Sequence, residues 1–114
     1  MPVRYLIRLP EPGRARGNDP ALAFTAHGAD AFAEELQDAL RSQALFERWR
    51  ALQPEPDEVD PALGATDPAA TVQGHQHDLY IDLVALTAIP GDVLRHRLRL
   101  LAGNHWELRD VSRA

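Results

Sequence analysis

The sequence predicts an α+β fold, a two-layer sandwich in which a four-stranded mixed or antiparallel sheet carries two main helices on one face. Several short segments alternate apolar and polar residues with the two-residue period of strands, and others repeat apolar residues at helical spacing. Each pattern has one apolar face, which favours two layers that meet at a single core. With 114 residues, the chain is expected to form a single domain, 1–114.

The first strand is predicted at residues 3–9, where apolar residues alternate with Arg4, Leu6 and Arg8. The next segment, 10–20, is rich in proline and glycine and predicts a flexible loop. Residues 21–27 alternate more weakly, because nearly all of them are apolar or small. We expect this segment to form a second strand that pairs antiparallel with the first one.

A helical segment is predicted at residues 30–52. Asp30 is placed to cap its start, because a carboxylate can accept hydrogen bonds from the free N–H groups of the first turn. Apolar residues follow at helical spacing, and acidic residues precede Arg41, which suits the helix dipole. A second apolar stripe begins after Ser42, so the segment is either one helix or two helices with a bend near this residue.

The connection at 53–74 concentrates the acidity of the chain. It holds four prolines and two glycines, and five acidic residues between positions 53 and 70 account for the whole net charge of −5. Long connections inside a domain are usually functional or disordered. We expect Val59, Leu63 and Val72 to hold this one irregularly against the surface.

The central strand is predicted at residues 77–86, the longest alternating run in the chain. Four apolar side chains would point to one face: Leu79, Ile81, Leu83 and Ala85. Asp78, Tyr80 and Asp82 would point to the other face, which Val84 and Leu86 would then close with apolar side chains. We expect the helices to cover the apolar face and the polar face to stay wet.

The last helix is predicted to begin at Ile89, with Pro90 near its first position and Gly103 as its stop. Residues 104–111 would then close the chain as a strand. The resulting order is ββαβαβ. A ferredoxin-like arrangement is a near neighbour of this order, but it needs a helix between the first two strands, which residues 10–20 cannot supply.

Composition excludes several classes of site. The sequence has no Cys, which rules out disulfides, thiolate metal sites and thiol nucleophiles. All 12 basic residues are Arg, a composition typical of a GC-rich bacterial genome and not evidence of nucleic-acid binding. Residues 3–9 carry charges inside their apolar run and resemble neither a signal peptide nor a membrane span. We therefore expect a soluble, cytoplasmic bacterial protein.

The polar face of the predicted sheet is the best candidate for binding. Its candidate binding residues are Arg4, Arg8, Tyr80, Asp82 and Arg109, with Asp78 and Glu107 on the same face. A flat surface of mixed charge with an aromatic residue near its centre is typical of protein docking surfaces. The plainer interpretation is a set of cross-strand ion pairs that only keep the sheet solvated.

His75 and His77 are the candidate metal ligands. They lie two positions apart at the entrance of the predicted central strand, so both imidazoles would project from one face and could share a metal ion. Asp78, His27 or His105 could supply a third ligand. The alternative function is therefore that of a metal-binding protein or a metal-dependent enzyme. Solvated histidines at the mouth of a strand explain the same pattern.

The third candidate surface is a basic strip on the last helix. Arg95, His96, Arg97 and Arg99, with Arg109 beyond them, could contact phosphate groups of a nucleic acid. No aromatic residue is interleaved with these side chains, and the chain is acidic. A solvated, salt-bridged helix face is therefore the favoured interpretation.

No pattern predicts catalysis or a cofactor. Ser42 and Ser112 are the only serines, and neither lies in a nucleophile context. Asp78 and Asp82 would lie roughly 13 Å apart along a strand, too far for an acid–base pair. The leading hypothesis is a non-catalytic protein-interaction or regulatory module. Its partner would be another protein or its own copy through an edge strand, and neither nucleic acid nor a membrane is expected.

Overall fold

One four-stranded antiparallel sheet forms the centre of the fold. The computed structural model describes residues 2–113. Its strands are β1 (Val3–Leu9), β2 (Thr71–Gln76), β3 (Ile81–Thr87) and β4 (Glu107–Arg113). They lie in the order β2-β3-β1-β4, and each neighbouring pair is antiparallel. The predicted α+β class with a four-stranded sheet is thus confirmed.

Three α-helices accompany the sheet: α1 (Ala29–Arg41), α2 (Ala44–Ala51) and α3 (Gly91–Ala102). Short 3₁₀ turns occur at Pro12–Arg14, Pro56–Glu58 and Pro61–Gly64. The segment 30–52 forms two helices and not one, because Ser42 adopts an extended conformation between them. The predicted cap is wrong: Gly28 takes the cap position with φ 118°, and Asp30 lies inside the first turn.

The core lies between one face of the sheet and the helices. The central strands contribute buried residues that face each other across the β1–β3 pair: Tyr5 with Ala85, Ile7 with Leu83, and Leu9 with Ile81. From the helices, Phe32, Leu36, Leu40, Leu94, Leu98 and Leu101 pack into the same cluster. Full burial of each large apolar side chain contributes about 1.5–3 kcal/mol to folding. This layer determines which face of the sheet is left over.

The strand predicted at 21–27 is absent, although the burial pattern that suggested it is real. Leu22, Phe24 and Ala26 are all buried, as the alternation implied. However, the backbone N–H groups of Phe24 and Gly17 both donate to the carbonyl of Leu101 at the end of α3. The segment therefore packs along a helix and does not pair with a strand.

The second strand in chain order is instead β2, which begins within the last residues of the connection predicted to be irregular. Its single buried apolar residue is Val72. Residues 53–70 do run irregularly, but polar contacts also anchor them. The Asp67 carboxylate accepts hydrogen bonds from the Ala88 N–H at 2.8 Å and the Thr87 hydroxyl at 2.9 Å. These bonds, the first of them the largest cause, lower the pKa of Asp67.

The predicted order ββαβαβ is therefore wrong, and the observed order is βααββαβ. With α1 and α2 together in place of one helix, this matches the β-α-β-β-α-β order of the ferredoxin-like motif. Residues 10–20 form no α-helix, as expected. The helices between the first two strands are α1 and α2, because β2 begins only at Thr71.

The central strand begins later than predicted. Residues 77–80 form the turn between β2 and β3, where the His77 N–H donates to the Tyr80 carbonyl. Leu79, expected on the buried face, is 82% exposed in this turn. The inner position of 81–87 is confirmed, because β3 lies between β2 and β1. The last strand likewise starts at Glu107 and extends to Arg113.

Candidate functional site

The sheet face that points away from the buried core is called here the open face. The strand register places on it Thr71, Gln73 and His75 of β2, Asp82, Val84 and Leu86 of β3, Arg4, Leu6 and Arg8 of β1, and Glu107, Asp110 and Ser112 of β4. All of these residues except Asp82 are half-buried or exposed. The open face is therefore accessible to a partner.

Arg8 and Asp82 form the fixed polar element of this face. They lie directly opposite each other in β1 and β3. Two bonds join them: Arg8 Nε lies 2.9 Å from Asp82 Oδ1, and Arg8 Nη2 lies 3.2 Å from Oδ2. The hydrogen bond from Arg8 lowers the pKa of Asp82, and the same bond raises the pKa of Arg8. Both groups therefore stay charged near neutral pH.

The β2–β3 turn folds over this ion pair. The Arg8 guanidinium carbon lies 4.0 Å from the centre of the Tyr80 ring, within the range of a cation–π contact. His77 stacks on Tyr80: the centres of the two rings lie 4.4 Å apart, with 22° between the planes. His77 Nε2 also lies 3.4 Å from Asp82 Oδ2. This cover explains why Asp82 is only 8% exposed although it lies on the open face.

The centre of the open face is apolar. Leu6 of β1 pairs with Val84 of β3, and Leu86 lies two positions further along β3. Leu6 and Val84 are half-buried, and Leu86 is 38% exposed. An apolar centre with a charged margin is the usual anatomy of a protein interface.

The structure brings together three of the five predicted binding residues. Arg8, Tyr80 and Asp82 form one cluster, as described above. Arg4 also lies on the open face, opposite Leu86. Arg109 lies apart from them in β4, where its Nη1 contacts Glu107 Oε1 at 3.0 Å.

One element of the site does not follow from the sequence pattern. His77 joins the Arg8–Asp82 cluster because residues 77–80 form a turn and not the start of the central strand. The apolar centre had a signal: Leu6, Val84 and Leu86 all share the parity of the polar residues on their strands. That pattern distinguishes a partly apolar face from a fully wet one.

The predicted metal ligands occupy different elements. His75 lies on β2 directly opposite Asp82, whereas His77 lies in the turn. Both imidazoles contribute to lowering the pKa of Asp82, after the larger effect of Arg8. Across residues 2–113, no group of three or more His, Asp or Glu side chains is arranged to hold a metal ion.

The basic strip predicted on the last helix is interrupted. Arg95 and Arg99 are exposed, but Arg97 is completely buried. Its guanidinium donates to the backbone carbonyls of Ala39 and Leu63 at 3.0 and 3.2 Å. Burial lowers the pKa of Arg97. The prediction that Arg97 contributes to a phosphate-binding surface is therefore wrong, because its side chain ties α3 to α1 and to the connection.

A groove of about 450 Å³ lies in the helical layer between α1, α2 and the end of α3. Its walls include Leu22, Leu45 and Leu101, with Glu35 and Arg48 among its polar residues. None of the predicted site residues lines it. The groove and the open face are thus separate parts of the surface.

Comparisons with protein-family models, with curated proteins and with solved structures found no match for this chain. Among the described residues, no helix is long and apolar enough to cross a membrane.

Proposed function

We propose that this chain is a non-catalytic protein-interaction module that binds a partner protein on the open face of its sheet. The observation that carries the proposal is the apolar centre of an uncovered face, formed by Leu6, Val84 and Leu86. A face that only kept the sheet solvated would have no need for three apolar side chains at its centre. The proposed setting is the bacterial cytoplasm, which the absence of Cys and the Arg-rich composition support.

The rim of the face supplies the specificity in this proposal. Arg8 and Asp82 are already paired, so their positions are held before a partner arrives. Tyr80 lies against the guanidinium of this pair, and aromatic residues and Arg are enriched at protein interfaces relative to the rest of the surface. Arg4 remains available to an acidic group, because no ion pair is found for it within residues 2–113. The matching partner surface is apolar at its centre and carries acidic groups at its margin.

Site-specific photocrosslinking tests the proposal. A photoreactive amino acid replaces Leu86 in one variant and Leu52 in a matched control. Leu52 is 57% exposed at the end of α2, in the helical layer, so both probes are accessible. The proposal expects one discrete protein to be crosslinked from the Leu86 position in cells of the source organism, and not from the Leu52 position.

The affinity of the purified partner then provides the second readout. Leu86→Asp should weaken binding by about tenfold or more, as for a central interface residue. Leu52→Asp should leave the affinity unchanged, and thermal unfolding should show that both variants remain folded. Equal crosslinking from both positions, or equal affinity of both Asp variants, contradicts the proposal.

A further inference from the structure

The two edges of the sheet differ in how they are protected. At the β2 edge, α1 lies against the strand so closely that a Cβ at Gly74 would lie 2.2 Å from the carbonyl oxygen of Ala29. The backbone N–H of Val72 donates to Oε1 of Gln37 at 3.0 Å. The helix therefore both covers this edge and occupies one of its backbone donors.

The β4 edge has no such cover. All residues of β4 except Leu108 are exposed. Within residues 2–113, no backbone hydrogen bond joins this strand to any element other than β1. A seven-residue strand with a free row of backbone groups is a template for a further strand.

A bulge in β4 restricts which strand can fit this edge. Ile7 of β1 pairs with Leu108, and Leu6 pairs with Asp110, so that Arg109 is an extra residue on β4. The extra residue changes the alternation of faces along the strand. Beyond this point, the side chains of a regular partner strand would lie on the opposite face of the sheet from those of β4.

The bulge places two apolar residues on the same side of the sheet. Leu108 lies opposite Ile7, and Val111 lies opposite Tyr5, and both of these β1 residues are buried in the core. Leu108 and Val111 therefore share the helix-side face although they lie three positions apart. The strand that reproduces this spacing most simply is another copy of β4.

We propose that β4 pairs antiparallel with β4 of a second copy of this chain, about a two-fold axis between Arg109 and Asp110. In this register Arg109 lies opposite Asp110 of the second copy, and the symmetry forms this pair twice. Leu108 lies opposite Val111 of the second copy, also twice. Glu107 lies opposite Ser112, which places two open-face residues together.

The charges of β4 distinguish this partner from an unrelated strand. Charged residues on an edge strand usually prevent pairing. An unmatched strand would bring like charges together or remove water from charges that it cannot pair. In the proposed register the same charges form two cross-strand ion pairs. The dimer stands apart from the proposed function, because edge pairing leaves both open faces uncovered and joins them side by side.

Sedimentation equilibrium of the full chain, from micromolar to millimolar concentration, tests the dimer. The wild-type chain should change from the monomer mass to twice that mass as the concentration rises. Arg109→Glu alone and Asp110→Lys alone each create two like-charge pairs in a homodimer. Each variant should therefore dimerise about tenfold more weakly.

The mixture of the two variants provides the decisive comparison. In a heterodimer of Arg109→Glu with Asp110→Lys, both cross-strand pairs are again of opposite charge, so the equimolar mixture should dimerise about as tightly as wild type. A wild-type chain that stays monomeric overturns the proposal. A dimer that ignores the single substitutions, or a mixture no tighter than either variant alone, also overturns it. Loss of the dimer in these experiments leaves the crosslinking result at Leu86 unaffected.

Discussion

Arg8 and Asp82 lie directly opposite each other in the two inner strands of the sheet, and their side chains are joined at 2.9 and 3.2 Å. The Tyr80 ring covers the guanidinium. Much of the polar surface that marked this face in the sequence is thus occupied within the chain. What remains for a partner is the apolar centre, Arg4 and the exposed edge of the Tyr80 cluster.

The Arg8–Asp82 contact determines how Asp82 titrates. Because the hydrogen bond from Arg8 lowers its pKa, Arg8→Gln should raise the pKa of Asp82 toward the ordinary value. NMR titration of the side-chain carboxyl carbon measures this directly. Arg14→Gln is the control, because Arg14 pairs with Glu11 on the exposed loop. No change in Arg8→Gln would contradict the assigned cause.

The same contact has a consequence for stability. A carboxylate with a lowered pKa in the folded state stabilises the fold above its unfolded pKa, about 4. This contribution is lost as the pH falls through the lowered folded value. Arg8→Gln should therefore lose less stability than wild type as the pH falls below about 4, as measured by urea unfolding at a series of pH values.

Arg97 should be a structural residue whose loss is costly. Removing it relieves the desolvation of a buried cation but leaves the carbonyls of Ala39 and Leu63 without this donor. We expect the second effect to dominate, so that Arg97→Met lowers the free energy of unfolding by about 2 kcal/mol. Arg95→Met, two positions earlier on the exposed face of α3, should change the free energy of unfolding by less than about 0.5 kcal/mol. An Arg97→Met variant at least as stable as wild type would show that the lost hydrogen bonds do not dominate.

Gly74 should be required for the contact between β2 and α1. A methyl group there would meet the Ala29 carbonyl, so either the helix or the strand must shift. We expect Gly74→Ala to destabilise the protein by about 1–3 kcal/mol. In Gly13→Ala nothing lies within 4 Å of the added Cβ, so its stability should stay close to that of wild type. Equal thermal midpoints for the two variants would argue against the close approach.

His96 should make stability depend on pH near neutrality. Burial, followed by the neighbouring Arg97 and Arg99 charges, lowers its pKa. Its Nδ1 has no hydrogen-bond partner within residues 2–113, and its ring meets the edge of Trp49 at 4.4 Å. Below about pH 6.5 the unfolded chain takes up a proton that the folded chain does not.

The free energy of unfolding should therefore fall as the pH decreases from about 7 to the lowered pKa of the folded state, and level off below it. In His96→Leu this slope should be reduced. Urea unfolding followed by tryptophan fluorescence measures both curves. An equal slope in the two proteins would contradict the assignment of the effect to His96.

How far the sequence predicts this fold depends on whether local pattern and long-range pairing agree. In β1 they agree, since Arg4 and Arg8 alternate with residues that enter the core, and the predicted bounds are those observed. In 21–27 they disagree, because alternating burial does not reveal whether the backbone partner is a strand or the end of a helix. Here the partner is the Leu101 carbonyl.

The missed strand and the misplaced arginine have different causes. In β2, Val72 is the one buried apolar residue, and Gly74 stands where α1 approaches the strand. The alternation of apolar and polar residues that predicts a strand is therefore missing from this segment. The burial of Arg97 could have been predicted from its position in α3, although its charge suggested an exposed side chain. It lies three positions after Leu94 and four before Leu101, within the buried stripe of the helix. Helical position, not residue type, indicated where this side chain lies.

NMR chemical-shift mapping with the purified crosslinked partner tests the central claim most directly. If the partner binds the open face, it should shift the methyl signals of Leu6, Val84 and Leu86, together with the Tyr80 ring signals. The methyl signals of Leu22 and Leu45, in the groove of the helical layer, should stay in place. Shifts confined to that groove, with unchanged signals on the open face, would contradict the account.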